Sequence, residues 1–320
     1  MKASKKNYRF TAAVLGATVL LWIASAVTHA TTLYSNGFEP TDPGAADFYD
    51  STSGIEGPLP GSNIAVVPSG GGQLGLPAAS GSYYAEITNT DDAYSIANGY
   101  PLGYGQSVFT DYGYARNGGT FDPISGAPTA PGIANNGSAF YQSTDYYINT
   151  KWAAPAATYS PAFWIDSTPY NDPNSLDETN FRVMVPGDGT VTVGAFIGNP
   201  GTNGTVGTIT TSGWYTFKTT FEDSGGYVAN TMSILDAGGN PVGSVTGVTT
   251  LPWADLTGTN YGDWTTVWQN GFGATMGPNE NGAADVLGID NVEVGTVPEP
   301  ASLSLLALGA PMLLRRRRPR

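Results

Sequence analysis

The chain has no cysteine, and its only histidine, His29, lies near the N-terminus. A disulfide framework, a thiol nucleophile, a zinc–thiolate site and an iron–sulfur cluster are therefore excluded. Residues 31–296 cannot build a Ser-His-Asp or Cys-His arrangement, nor a histidine pH switch. Carboxylates remain as the acid–base groups. Charge is scarce too, at 12% of residues against roughly 25% in ordinary globular domains. Of 13 basic residues, four precede residue 31 and five follow residue 297, which leaves Arg116, Lys151, Arg182 and Lys218 between. With 25 acidic side chains in the same stretch, residues 31–296 carry a net charge of −21. Phosphate binding needs clustered Lys and Arg, so no nucleic acid is expected as a partner. Anionic lipid surfaces are disfavoured on the same ground. Neutral glycans and divalent cations stay compatible with such a surface.

Long amphipathic helices are missing as well. They need Glu, Lys, Leu and Ala at a spacing of 3.6 residues, whereas Gly (43) and Pro (23) punctuate this chain. Short strands between turns are what such a composition builds. Phe181-Arg182-Val183-Met184-Val185 and the β-branched run 190–197 flank Pro186-Gly187-Asp188-Gly189, which predicts a hairpin. Residues 214–222 alternate, with Tyr215, Phe217 and Phe221 on one face and Lys218, Thr220 and Glu222 on the other. That is the period-2 mark of a half-buried antiparallel strand. Further strands are predicted over 227–235 and 286–294. A spacing of about ten residues between strands predicts an all-β fold, an antiparallel β-sandwich of the jelly-roll kind. The Gly/Pro/Asn-rich stretch 117–137 reads either as a long functional loop or as a linker between two smaller sandwiches.

The two ends have a different character. Lys2, Lys5, Lys6 and Arg9 precede an apolar run over 10–27, followed by Thr28-His29-Ala30 as a small-x-small cleavage site. Residues 1–30 therefore read as a secretory signal peptide. At the other end, Pro298-Glu299-Pro300 precedes an apolar run over 301–314 and then Arg315, Arg316, Arg317 and Arg318. As a helix this run reaches about 21 Å, short of the roughly 30 Å core of a bilayer. The arginines resist translocation and stay cytoplasmic. The tripartite pattern over 297–320 resembles the PEP-CTERM sorting signal. That resemblance implies an exosortase-type processing enzyme as a partner, transient inner-membrane anchoring through 301–314, and a body, 31–296, exported to the cell surface or extracellular matrix.

Within the body, Asn36-Gly37-Phe38-Glu39 and Leu287-Gly288-Ile289-Asp290-Asn291-Val292-Glu293-Val294 resemble the first and last strands of concanavalin A-like or carbohydrate-binding-module jelly rolls. The resemblance implies that the terminal strands pair. It also implies that Glu39, Asp290 and Asn291 help hold a structural calcium ion, for which they offer hard oxygen ligands. Sugar binding in such sandwiches rests on aromatic faces. Trp264 and Trp268 lie four apart and share one face of a strand, with Asp263, Gln269 and Asn270 beside them. They are either core residues or a platform for extracellular polysaccharide. Glycoside hydrolysis needs two carboxylates on one face, about 5 to 9.5 Å apart. Asp177-Glu178 and Glu222-Asp223 are adjacent and point oppositely in a strand, while Asp91-Asp92 sit in a turn beside Asn89. No catalytic pair is predicted. The expected function is non-catalytic polysaccharide binding, with a purely structural matrix role as the alternative and a carboxylate-dependent glycosidase or lyase behind it.

Overall fold

Apolar side chains at every second position make a strand that must bury one face. Gly213–Ser224 does so: Tyr215, Phe217 and Phe221 are buried, and the intervening Thr216, Lys218 and Thr220 are not. The computed structural model describes residues 31–42, 49–50, 55–56, 64–88, 120–121, 128–130, 138–152, 163–167, 170–171, 174–175, 179–198, 201–256, 267–268 and 286–297. Residues 32–296 form one compact unit, described here.

Its elements in chain order are β1 (Thr32–Asn36), β2 (Tyr49–Asp50), β3 (Ile55–Glu56), β4 (Ile64–Pro68), β5 (Tyr83–Thr88), β6 (Thr120–Phe121), β7 (Pro128–Ala130), β8 (Phe140–Ile148), β9 (Phe163–Asp166) and β10 (Tyr170–Asn171). There follow β11 (Asn174–Ser175), β12 (Thr179–Met184), β13 (Val191–Ile197), β14 (Thr202–Ile209), β15 (Gly213–Ser224), β16 (Tyr227–Asp236), β17 (Pro241–Pro252), the single turn α1 (Trp253–Leu256), β18 (Val267–Trp268) and β19 (Val286–Thr296). One sheet runs β17-β16-β15-β8-β19-β5-β4, with β1 also on β19; the other runs β14-β13-β12-β9-β18. All the pairings are antiparallel.

The two sheets pack face to face. Phe217 from the larger sheet meets Phe181 of the smaller edge-to-face at 5.2 Å between ring centroids, and Tyr146 at 5.4 Å. Asn230 in β16 donates its side-chain amide to the Thr179 hydroxyl in β12 at 2.7 Å. At one margin β14 lies so close to β17 that a Cβ on Gly243 would overlap the Val206 carbonyl. Only glycine permits that approach.

The predicted hairpin forms, with Val183 opposite Val193. Strands β4 and β5 precede the stretch 117–137 and share a sheet with β8, β15 and β19, which follow it. The terminal strands pair, Thr32 opposite Gly295. The opening strand, however, is Thr32–Asn36 rather than 36–39. At Gly37–Glu39 the chain turns, because Asp42 accepts the N–H of both Gly37 and Glu39 while Asn36 accepts that of Phe38.

The core carries a liability. Gln142 points between the sheets opposite Thr219, and neither its amide nor the Thr219 hydroxyl has a hydrogen-bond partner. Gln142 is 2% exposed. Each buried, unpaired polar group costs about 1–3 kcal/mol. Gln142→Met is accordingly expected to raise stability by about 1 kcal/mol, read as a later denaturation midpoint. An unchanged or earlier midpoint would count against it.

Candidate functional site

Phe181, Val183, Ile165, Val193 and Ala195 of the smaller sheet are buried against the larger one. Their neighbours along each strand therefore lie on the opposite, outward face. Register then assembles two rows across that face. In the first, Trp268 of β18 is opposite Trp164 of β9, Trp164 opposite Arg182 of β12, and Arg182 opposite Gly194 of β13. In the second, Asp166, Asn180, Phe196 and Asn203 stand opposite one another in turn. Neighbouring strands lie about 4.8 Å apart and the two rows about 7 Å, so Trp268 and Trp164 share one row with Arg182 by register. Among the tryptophans weighed in the sequence, Trp268 thus falls on the face turned away from the inter-sheet core. Trp264, Asp263, Gln269 and Asn270 lie outside the described residues.

Arg182 is held flat on this face. Its Nε donates to Asn180 Oδ1 at 3.2 Å and its Nη1 to Asn203 Oδ1 at 3.3 Å. The guanidinium carbon lies 4.7 Å from the centroid of the Phe196 ring, a cation–π contact. Among the described side chains no carboxylate pairs with it. Trp164 and Arg182 were not singled out from the sequence. Alternation in Phe181-Arg182-Val183 marks Arg182 as outward, but the pairing of β9 and β18 joins segments about a hundred residues apart.

The residues expected to hold calcium do converge, at the corner where β1, β19 and the β4–β5 loop (69–82) meet. Glu39 Oε1 accepts the N–H of Ser82 and, at 3.1 Å, of Tyr83. Asp290 Oδ2 accepts those of Ala79 at 3.0 Å and Ser80 at 3.2 Å, and its Oδ1 that of Asn291 at 2.8 Å. Asn291, at φ 48° where β19 bulges between Asp290 and Glu293, accepts the Ser80 hydroxyl and donates to Asp145. These oxygens face N–H and O–H donors, so as placed they do not fit a cation. Among the described residues no group of three or more His, Cys, Asp or Glu could hold a metal. Loop amides occupy the positions where calcium was expected, and EDTA is expected to leave the melting temperature unchanged.

A third carboxylate completes the clamp. Glu86, 2% exposed, accepts the N–H of Gln73 at 2.8 Å and of Leu74 at 2.7 Å, and the Tyr84 hydroxyl at 2.9 Å. Burial, reinforced by Glu86, pushes the Tyr84 phenol well above its ordinary range. Gly72 runs against Glu86 with φ 72°, and a Cβ there would strike the carboxylate. The loop so held covers Trp214, whose indole donates to the Pro77 carbonyl at 2.8 Å and whose ring meets Tyr84 and Tyr147, each at 5.7 Å.

Burial pushes the Asp290 carboxyl up to about 7 from an ordinary 3.8; the N–H donors of Ser80, Asn291 and Ala79 pull it down, and Asp145 adds to the rise. A carboxyl raised on folding takes up a proton that the unfolded chain does not bind between those two values. Its stabilising effect is full below about 3.8 and is lost as pH rises through about 7. The protein is expected to melt higher at pH 5 than at pH 8, with Asp290→Asn flattening the profile. A profile unchanged in the variant would refute this assignment.

On the outward face of the larger sheet, Glu293 accepts the Tyr141 hydroxyl at 2.6 Å and the Thr32 hydroxyl at 2.7 Å. The Lys218 ammonium lies 3.7 Å from the Tyr141 ring centroid. Burial, with Glu293 adding to it, pushes the Tyr141 phenol up to about 12, so it serves as a donor. This group ties β1, β19, β8 and β15 together.

No family model matches the chain, and no curated protein matches it. Among solved structures it is similar to the CBM2 module of Lactobacillus casei BL23 phage J-1 evolved Dit, with 6% identity, 85% of this chain and 97% of that one covered, and a TM-score of 0.38. It is similar also to the marine PL7 alginate lyase AlyA1 from Zobellia galactanivorans, at 12% identity, coverage of 67% and 77%, and a TM-score of 0.36. The alginate lyase from Klebsiella pneumoniae follows at 10% identity, coverage of 73% and 81%, and a TM-score of 0.35. At such identities and scores the likeness bears on none of the residues above.

Proposed function

We propose that the protein is an exported surface or matrix protein whose body, a jelly-roll-like sandwich, binds extracellular polysaccharide without transforming it. Its C-terminal signal, Pro298-Glu299-Pro300 with Arg315, Arg316, Arg317 and Arg318, is read by an exosortase-type enzyme. Those residues and the run 301–314 lie outside the described residues. The observation that carries the binding reading is the register that brings Trp268 and Trp164 into one row with Arg182, beside Phe196 and the exposed Asn203. Aromatic faces offer sugar rings large apolar contact at little entropic cost, and the amides supply hydrogen bonds. The terminal strand pairing supports the jelly-roll reading.

The test titrates the purified full chain against the producing organism's own exopolysaccharide. Saturable binding is expected, weakened at least about tenfold, or 1.4 kcal/mol, by Trp164→Ala or Trp268→Ala. Their melting temperatures, measured alongside, separate lost binding from lost folding. No saturable binding would leave a purely structural matrix role. New reducing ends would show a carbohydrate-cleaving enzyme instead.

A further inference from the structure

Arg182 is the one described cation in the row that register shares with Trp164 and Trp268, in a body of net charge −21 with only four basic residues. Its setting is unusual for a surface arginine. Two side-chain amides and one aromatic ring fix it, and no described carboxylate neutralises it. Holding a guanidinium flat uses side-chain entropy that a merely solvated arginine keeps. Asn180 and Asn203 take up Nε and Nη1, leaving the remaining N–H donors of the fork for another acceptor. Arginine's planar fork suits carboxylate groups, which it binds through paired charge-assisted hydrogen bonds.

We infer that this face selects polysaccharides bearing carboxylates, with the uronate carboxylate on Arg182. The inference rests on the binding function proposed above and adds the substrate class to it. Salt at physiological strength, with a Debye length of about 8 Å, weakens the repulsion between such a chain and the body's distant carboxylates. Asp166 occupies the neighbouring row of the same face. Were it the counter-charge of Arg182, acidic and neutral chains would bind alike.

The experiment uses affinity electrophoresis of the purified full chain through gels containing polygalacturonate, its fully methyl-esterified form, or dextran sulfate. The first two share a backbone and differ in charge. The expected result is retardation by polygalacturonate, about tenfold weaker with the ester and weaker with dextran sulfate. Arg182→Gln should remove the preference for the acid over the ester, and Arg182→Lys should keep part of it. Trp164→Ala should weaken binding of both forms. Equal binding of acid and ester by the parent would overturn the inference while leaving polysaccharide binding intact. An Arg182→Gln variant that keeps the parent's preference for the acid over the ester would do the same. Absence of retardation in any gel, together with no binding to the organism's own polysaccharide, would remove both readings. The acid-against-ester comparison in the parent needs no variant to fold.

Discussion

Glu86→Ala is expected to lower stability by about 3 kcal/mol and to release the loop 69–82. The alanine would leave the N–H groups of Gln73 and Leu74 and the Tyr84 hydroxyl without their shared acceptor. Leu74 and Tyr84 are buried, so part of the loss is desolvation of their donors, although the Tyr84 hydroxyl retains the Gly71 carbonyl at 2.9 Å. Glu86→Gln keeps the shape but presents an N–H₂ to one side of that donor set, and an intermediate loss is expected. The readouts are the denaturation midpoint, the Trp214 emission, which should shift to the red as Pro77 withdraws, and cleavage within 69–82 by a protease that accepts Leu74 or Leu76. Trypsin is useless there, since the loop has no Lys or Arg. A loop that stays protected in both variants would show that Glu39 and Asp290 suffice.

Phe217→Ala should cost more, about 4 kcal/mol, in the range for deleting a buried phenylalanine. Phe217 is 3% exposed and stands between Tyr146 of its own sheet and Phe181 of the other. Its removal opens a cavity at the seam and withdraws the partner of the strand that carries Arg182. Against a typical domain stability of about 5–15 kcal/mol, such a loss unfolds a sizeable fraction of the protein on modest heating. Phe217→Leu should recover about half of it. A loss under about 1 kcal/mol for the alanine variant would mean that the seam closes around the gap.

The sheets were legible where strand neighbours are sequence neighbours. Alternation in 213–224 and the turn Pro186-Gly187-Asp188-Gly189 contain all the information their ladders require. The pairing of the terminal strands was legible from the resemblance of 36–39 and 287–294 to the first and last strands of known jelly rolls. What occupies that corner was not, because the competing ligands are backbone amides of a Gly/Ser/Pro loop, which have no side-chain signature. Trp214 shows the same limit. It sits on the polar side of its strand's alternation, yet is 9% exposed because a loop 130 residues earlier folds over it. The row Trp268, Trp164 and Arg182 depends on β18 adding to β9, a contact that periodicity cannot reveal.

The last strand of the body is also one of its most enclosed. β19 is hydrogen-bonded to β8 along one side and to β5 and then β1 along the other. A chain held at its C-terminal end and tugged by a moving polymer would load β19 lengthwise. An edge strand under such tension peels away one hydrogen bond at a time; an inner strand must shear both its ladders together. With the C-terminal strand inside the sheet rather than at its margin, a pull on the proposed C-terminal anchor would have to shear two ladders at once.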